Sequence, residues 1–266
     1  MGEVISKDGT RIAFDKSGKG AAIIIVNGAL GFREFYGDKP LVAALSNDFT
    51  IYTYDRRGRG ESTDTKPYAA EKEIEDVEAL IDDAGGSSFL YGVSSGAALA
   101  LHVAARVDSA KVPKLALYEP PYGSNNEKDK ADFASQKNRI NELLRDGQSG
   151  DAAAFFVTSL GTPPETVEEL RKSPDWPFMQ RVEHTLAYDY NVLGDGAIPV
   201  EIAKTLKMPV LIMNGGKSFD FMRDTAESLS KVIPNAQWKV LKDQTHQVSP
   251  EVLAPVLRAF FSNKNP

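Results

Sequence analysis

Short apolar runs alternate with helix-like segments along most of this 266-residue chain. The runs are rich in β-branched and aromatic residues and are bounded by Gly, Asp or Pro, which is typical of strands buried on both faces of a parallel sheet. Parallel strands need crossover connections, and the intervening segments have helical spacing. The pattern predicts an α/β fold with a mostly parallel central sheet and helices on both faces. The predicted strands lie within residues 21–28, 49–55, 87–93, 114–123, 208–216 and 236–244.

Two stretches depart from this alternation. Residues 3–9 and 10–18 alternate polar and apolar side chains around a Lys-Asp-Gly turn, which predicts an antiparallel hairpin. From about residue 123 to residue 199 the strand pattern disappears and only helical spacing remains. We therefore expect residues 1–122 and 200–266 to form one core, with residues 123–199 inserted as an all-helical cap.

The composition limits the partners that the chain can have. With 31 basic and 37 acidic side chains the net charge is −6, which provides no general attraction to nucleic acid phosphates. The apolar runs fall well short of the roughly 20 residues that a membrane span needs. The chain has no cysteine, so disulfides, thiolate nucleophiles and zinc–thiolate sites are excluded. We expect a small-molecule partner, and neither nucleic acid nor membrane; the oligomeric state is not indicated.

The N-terminus lacks the basic segment, apolar stretch and small-residue cleavage site of a signal peptide, so we expect a cytoplasmic protein. The first six residues match the myristoylation pattern M-G-x-x-x-S at Gly2 and Ser6. That motif is short and frequent, and a first strand that happens to contain glycine is the favoured interpretation.

A serine lies between two glycines at the junction of a predicted strand and a predicted helix. Residues 92–96 are Gly-Val-Ser-Ser-Gly, the G-x-S-x-G spacing of a nucleophile elbow. Gly92 and Gly96 lack Cβ atoms that would clash where the chain reverses sharply. The following helix aims its first N–H groups at developing negative charge. In this context Ser94 is predicted to be a nucleophile rather than a turn residue.

Other features accompany this motif in chain order: VNGALG at residues 26–31, YDRRGRGES at residues 54–62, the predicted helical cap, and KDQTHQV at residues 242–248. Together with the elbow, they resemble the α/β-hydrolase superfamily over nearly the whole chain. This resemblance implies a serine hydrolase with a helical cap.

The resemblance also implies where an oxyanion hole lies. Its donors are the N–H groups of Ala29 and Ser95, with Leu30 as an alternative to Ala29. The sequence departs from the family at Asn27, where many members have His before the glycine. A backbone donor does not depend on that side chain, so the assignment stands.

A serine hydroxyl is a weak nucleophile and needs a neighbouring base, which histidine supplies near neutral pH. The chain has three histidines. His102 follows Ser94 by roughly two helical turns and is expected to point away from the site. His184 falls in the cap. His246 lies in a loop between the last strand and the last helix, where the superfamily carries its catalytic histidine, and is predicted to be the base.

The acid that orients the histidine is less clear. Most family members place Asp about where Ser218 stands, and that position holds no carboxylate. Asp220 lies two residues further on, whereas Glu119 ends the strand LALYEP, a position that some members use for the acid. Both strand ends point toward the same edge of the sheet. We favour Glu119 as the catalytic acid; helix capping is the alternative role for Asp220, and a capping or cap-binding role for Glu119.

We interpret the chain as a serine hydrolase that cleaves a small carboxylic ester or lactone without metal or other cofactor. Leu30 and Phe178 are predicted to contact the substrate. Arg56, Arg57 and Arg59 have the chemistry to bind a carboxylate, although charged side chains in loops are more commonly solvated. The alternatives are a cofactor-free perhydrolase or C–C bond hydrolase with the same triad, and a ligand receptor that keeps the fold without turnover.

Overall fold

A mostly parallel sheet forms the centre of the computed structural model, which describes residues 1–35, 38–147 and 149–262. Within those residues the sheet has eight strands in the order β1-β2-β4-β3-β5-β6-β7-β8. The strands are β1 (Gly2–Ile5), β2 (Arg11–Gly18), β3 (Ala22–Val26), β4 (Thr50–Tyr54), β5 (Phe89–Val93), β6 (Leu115–Tyr118), β7 (Val210–Gly215) and β8 (Ala236–Leu241). β1, β2 and β4 pair antiparallel, and the pairs from β4 to β8 are parallel. The predicted fold class and the N-terminal hairpin are confirmed.

The apolar runs form strands because both of their faces are covered. Every residue of β3, β4, β6 and β7 is buried. Among the described residues, the helices on one face include α2 (Ala70–Asp83), α3 (Ser95–Arg106) and α10 (Asp220–Val232), and those on the other include α1 (Lys39–Leu45) and α11 (Pro250–Ser262). They cover the sheet with two apolar layers.

The segment between β6 and β7 is helical, as its spacing predicts. Gly123 and Ala197 form an isolated parallel bridge, so the two ends of the segment meet. Its helices are α4 (Glu127–Asp146), α5 (Asp151–Ser159), α6 (Pro164–Arg171), α7 (Trp176–Val182), a 3₁₀ turn (Glu183–Thr185) and α8 (Leu186–Val192), and α9 (Val200–Ala203) follows the bridge. A separate apolar cluster joins these helices to Leu30 and Phe32, in the loop after β3. The segment is thereby held over the carboxyl ends of the strands.

The first helix of this segment, α4, has ordinary capping chemistry at both ends. The Asn126 side chain accepts a hydrogen bond from the N–H of Asp129 at the start of α4, and Gly147 ends that helix with a φ of 71°. No described helix is both long and apolar enough to cross a membrane.

Candidate active site

Ser94 lies on a strained turn between β5 and α3. Its φ of 56° and ψ of −131° are rare for a residue with a side chain. A Cβ on Gly92 would come within 2.6 Å of the Ala97 Cα, and one on Gly96 within 2.1 Å of the Val26 carbonyl oxygen. Both distances are shorter than real contacts, so the two glycines permit the turn and leave Ser94 half-exposed at the sheet edge.

A carboxylate meets the ring of His246 at the same edge. Glu119 follows β6 directly, with a φ of 49° and its N–H bonded to the Met213 carbonyl oxygen. Its Oε2 lies 2.6 Å from His246 Nδ1. The Gly215 N–H donates to Glu119 Oε1 at 2.7 Å, and the Ser218 hydroxyl donates to Oε2 at 2.8 Å. The carboxylate is fully buried, and its three partners offset the cost of removing it from water.

Of the two acid candidates, Glu119 is the one that the structure brings to the histidine. The Asp220 side chain is 84% exposed and forms an ion pair with Arg223 at 3.1 Å. Ser218, which stands where most family members have Asp, instead donates to the Glu119 carboxylate. Sequence reasoning named this position but missed that contact, because it depends on which side chains β6 and β7 bring together.

Ser94 and His246 open into one cavity of about 330 Å³. Ala29 and Ser95, the predicted oxyanion donors, also line it. The helical segment contributes many of the remaining walls, and the described lining contains no lysine or arginine. Its members from that segment are Gly123, Asp129, Asp132, Phe133, Gln136, Phe156, Ser159, Leu160, Asp189, Tyr190, Leu193 and Gly196.

The structure does not bring the predicted substrate contacts Leu30 and Phe178 to the described lining of this cavity. Leu30 is 4% exposed and packs into the apolar cluster beneath the helical segment. The Phe178 ring stacks on Phe35 with 5.5 Å between centroids, and the Arg181 guanidinium lies 4.8 Å from its centroid. The Phe178 ring therefore packs against these two side chains. Helical spacing indicated an apolar face at Phe178 without indicating what that face covers.

The arginines after β4 are not solvated, and that expectation was wrong. Arg56, Arg57 and Arg59 are each at most 1% exposed. Arg57 donates to both carboxylate oxygens of Asp76, at 2.6 and 2.7 Å, and to Asp8 at 2.9 Å. The three arginines do bind carboxylates, but these carboxylates belong to the protein itself.

Arg56 and Arg59 share one carboxylate from the helical segment. Asp189 of α8 accepts from Arg56 Nη1 at 2.7 Å and from Arg59 Nη2 at 2.8 and 3.0 Å. The Ser95 hydroxyl also donates to Asp189, at 2.7 Å. Burial opposes the ionisation of Asp189, but Arg59 and Arg56 outweigh it and hold the pKa of that carboxyl below its usual range. Arg56 also pairs with Glu73, at 2.7 Å.

The other two histidines lie away from Ser94. His102 lines a separate groove between α2, α3 and the end of α8. His184 is set edge-on to Tyr188. Burial lowers the pKa of both imidazoles. Across the part of the chain that the structure describes, no group of three or more His, Asp and Glu side chains is arranged to hold a metal ion.

Comparison with known proteins agrees with this architecture. The chain belongs to the alpha/beta hydrolase family, whose model matches residues 23–256. An alpha/beta hydrolase from Sphaerobacter thermophilus is 44% identical, with a TM-score of 0.88 over 98% of this chain and 100% of that one. Membership of this family supports a hydrolase.

More distant structures share the fold. A thermophilic esterase from Thermogutta terrifontis is 20% identical with a TM-score of 0.73, over 97% of each chain. An enol-lactonase from Burkholderia xenovorans is 19% identical with a TM-score of 0.74, over 98% of this chain and 100% of that one. A proline iminopeptidase from Pestalotiopsis fici is 28% identical over 82 residues, which cover 30% of this chain and only 29% of that protein.

Proposed function

We propose that the protein is a serine hydrolase that cleaves a small, uncharged carboxylic ester or lactone through an acyl-enzyme. The observation that carries this proposal is that Ser94, on its strained elbow, and His246, paired with buried Glu119, open into one cavity. A nucleophile, a base and a group that orients the base are the parts that acyl transfer requires.

In the proposed reaction, Ser94 Oγ attacks the substrate carbonyl carbon while His246 Nε2 takes the hydroxyl proton. Nδ1 keeps its own proton and donates it in a hydrogen bond to Glu119 Oε2, 2.6 Å away, and the carboxylate stabilises the imidazolium that forms. The N–H groups of Ala29 and Ser95 stabilise the oxyanion. His246 next protonates the leaving alkoxide, and the C–O bond breaks to leave the acyl group on Ser94.

Water completes the cycle. His246 removes a proton from a water molecule that attacks the acyl carbon, and returns that proton to Ser94 Oγ as the carboxylic acid leaves. A lactone follows the same course, except that the alcohol and acid products remain one molecule. Neither step requires a metal or other cofactor.

The cavity suggests the kind of acyl group. A volume of about 330 Å³ suits a small ligand, and half-buried aromatic rings such as Phe133 and Phe156 provide apolar walls. Its described lining offers Asp129 and Asp132 but no lysine or arginine, so a substrate carboxylate would find no such cation there. We propose that residues 123–199 act as a cap that selects the substrate. The esterase and the enol-lactonase of the same fold support the choice of an ester-like substrate.

A panel of p-nitrophenyl esters of increasing acyl length, run beside uncharged and carboxylated lactones, tests the proposal. We expect turnover of short uncharged esters or lactones, and a mass increase on Ser94 with a fluorophosphonate probe. Ligand binding without acylation would favour a receptor. Turnover that requires hydrogen peroxide in place of water would favour a perhydrolase, and turnover only of substrates with a scissile C–C bond would favour a C–C bond hydrolase.

A further inference from the structure

We propose that Arg59, held by Asp189, is a positioning residue that sets the direction of the Ala29 N–H, so that the helical segment completes the oxyanion hole. The inference rests on the proposed function and adds residues that do not touch the reacting atoms. It explains why two arginines and a carboxylate are buried next to the catalytic cavity, where their desolvation is costly.

The guanidinium of Arg59 donates hydrogen bonds to two backbone carbonyl oxygens of the loop after β3. Arg59 Nη1 donates to the Gly28 oxygen at 2.6 Å and to the Gly31 oxygen at 3.2 Å. A trans peptide is planar, so the N–H of Ala29 points opposite to the Gly28 carbonyl. Because the guanidinium binds the Gly28 oxygen, it lies on the opposite side of that peptide from the Ala29 N–H, and Ala29 lines the cavity with Ser94. Arg59 therefore turns the Ala29 N–H toward the nucleophile.

The loop needs such a restraint because its backbone is strained. Leu30, between the two carbonyls that Arg59 binds, has a φ of 59°, in the left-handed region that disfavours a residue with a Cβ. The loop also passes close to the nucleophile, since a Cβ on Gly28 would lie 2.8 Å from the Ser94 Cβ. Without Arg59, the Gly28 carbonyl would keep only the turn hydrogen bond from the Gly31 N–H, at 3.3 Å, and rotation of the Gly28–Ala29 peptide would turn the Ala29 N–H away.

Asp189 connects the same guanidinium to the second oxyanion donor. It accepts two hydrogen bonds from Arg59 and one from the hydroxyl of Ser95, whose backbone N–H is the other proposed donor. Arg56 also donates to Asp189 and reaches the Asn27 carbonyl oxygen at 3.3 Å. One carboxylate from α8 thus ties together the two loops that supply the hole.

Arg59→Lys, compared with Arg57→Lys, tests this assignment. Both arginines are buried in one loop and bonded to both oxygens of an aspartate, but of the two only Arg59 binds the oxyanion-loop carbonyls. A lysine keeps the charge and loses the two-pronged geometry. Loss of one oxyanion donor costs about 10²- to 10³-fold in kcat. Per folded molecule, we expect Arg59→Lys to lower kcat at least about tenfold at unchanged KM, and Arg57→Lys to leave both unchanged.

A trifluoromethyl ketone, which forms a tetrahedral adduct with the serine, separates a positioning role from a structural one. Its affinity should fall in Arg59→Lys by the same factor as kcat/KM, because both report the oxyanion hole. Equal kcat values for the two lysine variants, or unchanged ketone affinity, would overturn the proposal.

Should Arg59→Lys fail to fold, Thr185→Val decides, because it removes the hydroxyl of the helical segment that accepts from Arg59 Nε at 3.0 Å and leaves every ion pair intact. A parallel fall of about threefold or more in kcat and in ketone affinity supports the proposal, and unchanged values overturn it. Failure of the proposed function is visible separately. A wild-type protein that does not turn over any ester or lactone would remove both proposals, whereas an active wild type with an unaffected Arg59→Lys removes only this one.

Discussion

The sheet edge and the helical segment contribute to the same cavity in different ways. At the sheet edge, Leu30, Ser94 and Glu119 all have positive φ angles, and buried hydrogen bonds hold the Glu119 carboxylate. The helical segment instead contributes half-buried rings such as Phe133 and Phe156 from ordinary helices. The residues at the sheet edge are fixed by their backbone conformation, whereas the rings of the helical segment are fixed only by packing.

The energetics of the two regions differ accordingly. A non-glycine residue at positive φ costs about 1–3 kcal/mol and persists only where its surroundings determine its conformation. Such strain is tolerated where an atom must be placed accurately, which for acyl transfer means the nucleophile, the acid and the oxyanion donors. A helix face that lines a pocket can change its side chains at little cost to the backbone. Changes at the sheet edge should therefore affect every substrate equally, and changes to the rings that the helical segment contributes to the cavity should affect substrates differently.

The largest effect is expected from Ser94→Ala. Removing the nucleophile should lower kcat about 10⁵- to 10⁶-fold on every ester, while the half-exposed position leaves the fold intact. Circular dichroism and ester hydrolysis measured on the same sample check both parts. Wild-type rates in this variant would remove the assigned nucleophile.

The second comparison separates the two carboxylates. Glu119→Gln removes the anion that faces His246 Nδ1, and we expect a fall of about 10⁴-fold in kcat, as in the best-studied triad. Asp220→Asn is the matched control, because Asp220 is exposed and pairs with Arg223; it should cost less than about tenfold. The test measures kcat and the free energy of urea unfolding for both variants. A larger loss in Asp220→Asn than in Glu119→Gln would reverse the assignment.

A third pair of variants examines the helical segment. Phe156 lines the cavity and Phe178 packs outside its described lining, although both rings are half-buried. We expect Phe156→Ala to change the ranking of short and long acyl esters by about tenfold, with little change on a minimal acetate ester. Phe178→Ala should lower stability without changing the ranking. If Phe156→Ala reduced all substrates equally, the proposed division of roles would be contradicted.

Local patterns in the sequence predicted much of this arrangement. The strand–turn–helix context predicted Ser94, because that motif depends on immediate neighbours, and the resemblance predicted His246 from its loop between the last strand and the last helix. The rule that parallel strands end at one edge placed both acid candidates near that histidine, and the resemblance favoured Glu119. Patterns of this kind also predicted the element order, which the structure confirms.

What the sequence could not indicate depends on long-range contacts. Arg59 meets Asp189 across 130 residues, and its neighbours are charged, so local composition suggested a solvated loop. Ser218 bonds to Glu119 only because β6 and β7 are adjacent in the sheet. Phe178 lies in a helix whose apolar spacing is the same whether the ring faces a cavity or a neighbouring ring.

The smallest expected effect concerns a contact between α3 and the helical segment that lies away from the cavity. Burial lowers the pKa of His102 on α3, and a hydrogen bond to the Val192 backbone of α8 only partly offsets this. Between that lowered pKa and about 6.5, the unfolded chain binds more protons than the folded one, so stability rises with pH across this window. His102→Gln should reduce this pH dependence by less than about 1 kcal/mol, measured by urea unfolding at pH values on both sides of the window. Ester turnover at neutral pH should be unchanged, because His102 lines a groove separate from the cavity and should affect only the stability of the fold. A lower kcat in this variant would connect His102 to the site.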